Sequence, residues 1–409
     1  MKEPMTWSLS KKSAVVPVLG FGQIVTWGMT YYLPAILTRP VITDTGWSEQ
    51  AVVGMFSIAL LTSGLAAPFA GRLIAGFSGR LVMAGGVALC AVGLALMGVS
   101  TAFPVYALGW IVTGTGMSAS LYGAAFSTIS QISGQRARQA IVNVTLFGGF
   151  ASSVIWPVGG WLLQWMDWRG LCLSYAAFQI LFVFPLYLLV LPRKQAASDS
   201  EPSGGIPKPV AVDPVSTAAP HPLAFTAMAT NVVLMAFISA TLSVYLIVIL
   251  EKLGATTAAA IALAALMGPS QVLARLIERF SGQRLHPLWT LLGSNLLVIA
   301  GLLLLLSGFP SLALGVVIYG AGNGLVSIIK GSVPLVIFGA RNYPQLIGLL
   351  ERPVLITQAA APFLSTIALG MFGWQGVVIL LSGLAMLTLP SSIWLLHNQL
   401  HPPRFLRID

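Results

Sequence analysis

Twelve long apolar runs limit what this 409-residue chain can fold into more than any motif does. They lie near 13–38, 50–74, 80–99, 103–130, 139–165, 170–192, 223–250, 256–277, 287–307, 309–338, 344–370 and 375–397. A helix needs ~20 apolar residues to cross a hydrocarbon core of ~30 Å, and each run reaches that length. The runs are continuous rather than alternating, which selects helices over a barrel. Composition agrees, with 56% hydrophobic and 8% charged residues against about 25% charged in soluble domains. So few charges could not cover a soluble surface. The first run is too long for a cleaved signal peptide, and no small-residue cleavage site follows it.

The formal net charge is +10. Sixteen of the 21 lysines and arginines fall at the termini and in the even-numbered connections. Three, Arg39, Arg169 and Lys252, fall in the odd-numbered ones, and Lys330 and Arg352 lie inside runs. By the positive-inside rule this predicts a multi-pass protein of the inner (cytoplasmic) membrane with both termini cytoplasmic. Basicity is then a topology device, and nucleic-acid binding is not expected. The stretch 193–222, rich in Pro, Ser, Ala and charge, reads as a cytoplasmic linker. It divides the chain into six-helix bundles, 1–192 and 223–409.

Cys90 and Cys172 stand in separate apolar runs and read as buried apolar residues. The four histidines form no cluster with metal-ligand or catalytic spacing. No phosphate-binding loop of the Walker type occurs. Neither a metal nor a cofactor is expected.

The two halves repeat. "GRLIAGFSGR" from Gly71 and "ARLIERFSGQR" from Ala274 each follow the second run of their half. "GTG" at 114–116 matches "GAG" at 320–322, Pro157 matches Pro362, and "DWRG" at 167–170 matches "GWQG" at 373–376. Parallel six-helix copies point to carriers that rock around a midplane site. On these features the chain resembles the major facilitator superfamily over nearly its whole length. That family carries G-x-L-x-D-R-x-x-G-R between its second and third helices. Gly71, Leu73, Gly79 and Arg80 fit, with Arg72 inside the motif, while Ala75 and Gly76 replace the acid and the base. The second copy holds Arg275, Glu278, Arg279 and Gly282. The resemblance implies that these positions hold helix ends together during conformational switching, with the second copy the better candidate. "GWS" at 46–48 resembles bacterial monocarboxylate and oxalate–formate type members. "WPVGG" at 156–160 is one residue short of the antiporter signature, so drug antiport gains no support from it.

Charges inside a bilayer are costly and need a reason. Lys330, Glu351 and Arg352 lie at similar depth on the tenth and eleventh runs. Asn323, Ser327, Lys330 and Pro334 recur at helical spacing, as do Glu351 and Gln358. Two readings stay open. The cations snorkel to the cytoplasm with Glu351 as structural glue, or the net positive cluster binds an anion with Glu351 as proton carrier. The first half offers Gln23, Trp27 and Tyr31 at i, i+4 and i+8, Tyr122 and Phe126 on the fourth run and Trp156 on the fifth. Asn231 and Gln271 follow on the seventh and eighth. Each aromatic has packing as its ordinary role; together they suit a wall for an organic molecule. Packing likewise explains the small-residue stripes from Gly114, Gly148 and Gly320.

The leading expectation is a monomeric secondary active transporter, not an enzyme, that carries a small organic solute, an organic anion such as a carboxylate, with proton symport and alternating access. The alternatives are efflux of a hydrophobic drug or metabolite and, more remotely, a membrane enzyme or sensor.

Overall fold

A computed structural model describes residues 9–192, 222–281, 286–308 and 311–400. The linker expected at 193–222 lies outside these residues as far as 221, as do Gly282 and Arg284. Every described element is helical. In lipid each backbone polar group must be satisfied within its own segment, which helices achieve.

Among the described residues, nine helical segments are long and apolar enough to cross a membrane, some of them with a local break. These include α1 (Ala14–Thr45), α2 (Glu49–Gly76), α3 (Gly79–Gly98), α5 (Ala137–Leu162), α6 (Trp168–Val190), α7 (Pro222–Lys252), α9 (Pro287–Leu306) and α10 (Leu312–Ala340). The ninth, Asn342–Asn398, contains two of the expected runs, designated α11 (342–372) and α12 (374–400). Two more runs form interrupted helices, α4 (103–133) and α8 (257–281). The twelve apolar runs therefore correspond to twelve helical spans.

The reversals between α10 and α11 and between α11 and α12 occur at Gly339 (φ 73°) and Gly373 (φ 65°). Only glycine takes this backbone region without a steric cost. Contacts confirm the second reversal. Asn231 and Thr241, ~15 Å apart along α7, bond Ser392 and Ser365 respectively. A straight helix would hold those two serines ~40 Å apart.

Glycines set the close packing, as the small-residue stripes suggested. A Cβ on Gly116 would strike the α3 backbone at Gly86 and Cys90, and one on Gly322 would strike α9 at Ser294 and Val298. These positions correspond in the two sequence copies, so the repeat is also geometric.

The first six helices meet the last six at the end that carries Arg72, Arg80, Arg136, Arg138 and Arg279, called here the basic end. Gly64, Gly71 and Gly348 bring α2 and α11 into backbone contact, and Gly331 of α10 receives the Phe126 ring of α4. Farther from the basic end, Leu355 and Ala359 pack near Trp27, Tyr31 and Phe56.

Candidate functional site

The site is built where helices break. Pro34 cannot donate a backbone hydrogen bond, and α1 loosens at 30–33. Ile36 N–H turns to the Leu33 carbonyl. The Trp156 indole then donates to the Tyr32 carbonyl at 3.0 Å. In α4 the break is at Leu121 (ψ −166°). There the Gln23 amide donates to the Ser120 carbonyl at 2.8 Å and accepts from the Trp27 indole at 3.0 Å. Gln23 is 0% exposed. It braces the broken helix instead of lining a surface, which departs from the wall role expected of it.

Around these breaks the rings form one contiguous group. Trp27 meets Tyr31 at 4.8 Å and Tyr122 at 4.9 Å between centroids. Tyr31 stands edge-on to Phe56, and Tyr32 edge-on to Trp156. Tyr122 stacks on Phe126. Phe126 is fully buried against Gly331, so it supports the group from behind. Tyr32 and Phe56 are members that sequence reading missed.

Facing the rings from the last six helices is Arg275 of α8. The sequence reading grouped it with the loop cations as a gating residue. The structure places it inside the span, 7% exposed. Its Nε donates to the Gly324 carbonyl of α10 at 2.9 Å, and Nη1 crosses to the Thr145 carbonyl of α5 at 3.1 Å. Nη2 lies 3.5 Å from the Gln271 side-chain oxygen. The Tyr122 hydroxyl donates to the same Thr145 carbonyl at 3.4 Å. Arg275 also lies within electrostatic reach of Tyr32 and Tyr122. Two glycines allow this convergence. A Cβ on Gly148 would collide with the Tyr122 hydroxyl, and one on Gly149 with Arg275 Nη1. Gly324 lies ~22 Å along α10 from Gly339, and Trp27 ~20 Å along α1 from Ala14. On its own helix Arg275 lies ~9 Å from Ser281 at the basic end, and its acceptor Thr145 ~12 Å along α5 from Ala137, so the guanidinium is buried between the basic end and the rings. All three acceptors of Arg275 are uncharged, and among the described residues it forms no ion pair; Glu278, one turn along α8, pairs with Arg138 instead.

Nearer the basic end, Lys330 Nζ pairs with Glu351 Oε2 at 2.7 Å. Both side chains are largely buried, at 17% and 9% exposure. Glu351 packs against Gly123 of α4, where a Cβ would sit 3.0 Å from its Cγ. A cavity of about 10 Å³ adjoins it, bounded by Gly71, Ser118, Gly123 and Ser127. That is room for about one water. Lys330 therefore points to an acid at the seam rather than to the cytoplasm, while its pairing with Glu351 is the contact that the structural-glue reading expects.

The other candidates scatter. Arg352 is exposed beside Glu351. Asn323, Ser327 and Gln358 are half-buried, and Ser327 bonds the Gly324 carbonyl of its own helix. Asn231 is placed elsewhere: it is buried and its amide bonds Thr388, Ser391 and Ser392 of α12, which ties two helices together away from the rings.

At the basic end the duplicated loop behaves differently in its two copies. Glu278 of the second copy is buried and pairs across the seam with Arg138 of α5 at 3.2 Å. The Thr290 hydroxyl faces both its oxygens at 3.1 and 3.2 Å. His286, just outside α9, caps that helix by accepting from Leu288 N–H. Burial, with the nearby Arg138 charge, lowers its pKa from the ordinary histidine value. In the first copy Gly71 abuts the Pro344 carbonyl, Gly79 abuts Thr128, and Arg72 lies over the Phe69 ring. Arg80 Nε is buried with no hydrogen-bond partner among the described residues. Gln131 bonds the Ile74 carbonyl near the end of α2. Arg279 is exposed.

A polar site enclosed between two repeated sets of six membrane helices defines a multi-pass carrier fold. The profile described as Major Facilitator Superfamily matches residues 19–288, and the chain belongs to that superfamily of transporters; it is not an enzyme. Among solved structures it is similar to the human organic anion transporter MFSD10 (TETRAN), with TM-score 0.75, 15% identity, and 93% of this chain and 99% of that one covered. It is similar to FucP in the outward conformation, with TM-score 0.68, 13% identity and coverage of 94% and 99%. A third is the proton:xylose symporter XylE, with TM-score 0.65, 11% identity and 97% of each chain covered. No curated protein sequence matches. At these identities the likeness concerns the fold. Nothing in these comparisons supports the monocarboxylate or oxalate–formate subfamily. The "GWS" triplet that suggested it is a capping unit here: Gly46 ends the first helix at φ 70°, and Ser48 caps the next.

Proposed function

We propose that this protein is a secondary active transporter of a small organic anion, moved by alternating access and coupled to protons. One observation carries the reading: Arg275 is a cation within a membrane helix, buried between the halves, whose hydrogen-bond acceptors are all neutral. Such a charge is expensive in a bilayer and marks a ligand pathway by default. An anion entering beside it would supply the missing counter-charge.

In this proposal the units 1–192 and 223–409, joined by 193–222, rock about the seam as a monomer. The basic end faces the cytoplasm of a cell whose inner membrane holds the protein, so this conformer is closed on the cytoplasmic side. The anion binds at Arg275. Glu351 takes up the coupled proton, which releases Lys330 from its pair and adds a second cation for the substrate. The small residues lining the seam let it close again behind the loaded site.

The test is uptake into proteoliposomes under imposed pH and voltage gradients, on a panel of anionic, neutral and cationic organics. Anions should accumulate with an inward proton gradient, and Arg275→Gln should abolish that uptake. Preferential transport of neutral or cationic hydrophobic compounds, with Arg275→Gln unimpaired, would replace this reading with the efflux alternative.

A further inference from the structure

The placement of Trp156 bears on which organic anion fits. Thr145 and Gly149 lie one turn apart on the first segment of α5, and Trp156 lies on its second segment, past the break at 149–150. Thr145 and Gly149 both touch Arg275 of the opposite half, so this face looks across the seam. Trp156 lies ~10 Å beyond Gly149 along α5, away from the basic end. Its indole N–H is turned inward to the Tyr32 carbonyl, not outward to lipid headgroups, yet the side chain remains 41% exposed. Tyr32 stands edge-on to it at 83° and 5.8 Å between centroids. Tyr32 and Tyr122 both lie within electrostatic reach of Arg275. Moving away from the basic end, a guanidinium, two phenol rings and a partly exposed indole follow one another.

We infer that the substrate is an aryl carboxylate, with its carboxylate at Arg275 and its ring against Tyr32, Tyr122 and Trp156. This rests on the reading of Arg275 as the anion subsite. A guanidinium takes a carboxylate in planar, two-pronged fashion. Aromatic faces and edges reward a flat π-system beyond its buried area. Acetate or oxalate at Arg275 would leave the rings unused, and a bare inorganic anion would desolvate against them without return.

The probes are phenylacetate, cyclohexylacetate, acetate and phenylacetamide, bound to the full chain in detergent and followed by calorimetry and by tryptophan fluorescence. Phenylacetate is expected to bind at least about tenfold more tightly than acetate, and more tightly than cyclohexylacetate, which matches its bulk without the π-face. Trp156→Ala and Tyr32→Ala should each reduce the phenylacetate-to-acetate affinity ratio several-fold, whereas Trp156→Phe should preserve most of it. A ratio of affinities does not depend on how much of a variant is folded. Equal binding of acetate and phenylacetate, a cyclohexyl group serving as well as phenyl, or a ratio untouched in Trp156→Ala would overturn the inference while leaving anion transport standing. Phenylacetamide binding as well as phenylacetate would instead remove the anion subsite on which it rests.

Discussion

The guanidinium of Arg275 and the hydroxyl of Tyr122 donate to a single acceptor, the Thr145 carbonyl, at 3.1 and 3.4 Å. Residues from three helices and both halves of the chain thereby meet on one backbone oxygen. That oxygen is reachable because Gly148 and Gly149 carry no side chains.

Gly149→Ala is expected to displace Nη1 of Arg275, because the colliding atom ends a flexible side chain and yields before the helices do. Affinity for the transported anion should fall about tenfold, the loss of roughly one charge-assisted hydrogen bond. Isothermal titration gives the affinity and a thermal melt checks that the fold persists. Unaltered affinity would mean that the position of Arg275 is immaterial to binding.

Glu278→Gln removes the acid that faces Arg138 across the seam. The conformer closed at the basic end should lose ~1–3 kcal/mol relative to its alternative, in line with a partly buried pair. Spin labels at Arg72→Cys and Gln345→Cys, both exposed positions on opposite sides of the seam, report the outcome in a background lacking Cys90 and Cys172. A new population at longer distance is expected. An unchanged distance distribution would show that packing alone holds this end.

Lys330→Gln and Glu351→Gln each leave a largely buried partner uncompensated, a cost of ~3–5 kcal/mol. The double variant should recover most of that stability, because the two losses are not additive. If Glu351 carries the proton, both Glu351→Gln and the double variant remain insensitive to an imposed pH gradient despite folding. Proton-driven accumulation by the double variant would leave the pair a purely structural one.

Gln23→Leu should destabilise the first half by ~1–3 kcal/mol, since the buried Ser120 carbonyl loses its donor at the break in α4. Substrate specificity should not change. A shifted substrate preference without a drop in melting temperature would return Gln23 to the ligand-facing wall.

Much of this architecture was legible in the sequence because it rests on periodicities. Apolar run length gave the spans, the register of Gly116 with Gly322 followed from the repeat, and similar depth brought Lys330 and Glu351 together. Arg275 was not read correctly, because the eighth run fades at 277 and an arginine near a run's end looks like a loop cation. The helix in fact continues to Ser281. Gln271, Arg275 and Glu278 recur at i, i+4 and i+7, a polar face inside an apolar span that spacing alone could have revealed. Asn231 failed differently: a buried amide reads the same whether it awaits a ligand or another helix, and only the placement of Ser391 and Ser392 decides. Arg138 as the partner of Glu278 required knowing which helices cross the seam, which no local pattern encodes.

A Cβ at Gly348 would lie 2.6 Å from the Ala67 carbonyl oxygen and one at Gly64 would lie 3.1 Å from that of Arg352. Main-chain atoms cannot swing aside as a side chain does, so one added methyl there acts as a doorstop between the bundles. Alanine at Gly348 should hold the carrier in its opposite state without any ligand, antibody or crosslink, and so provide a way to visualise the other half of its cycle.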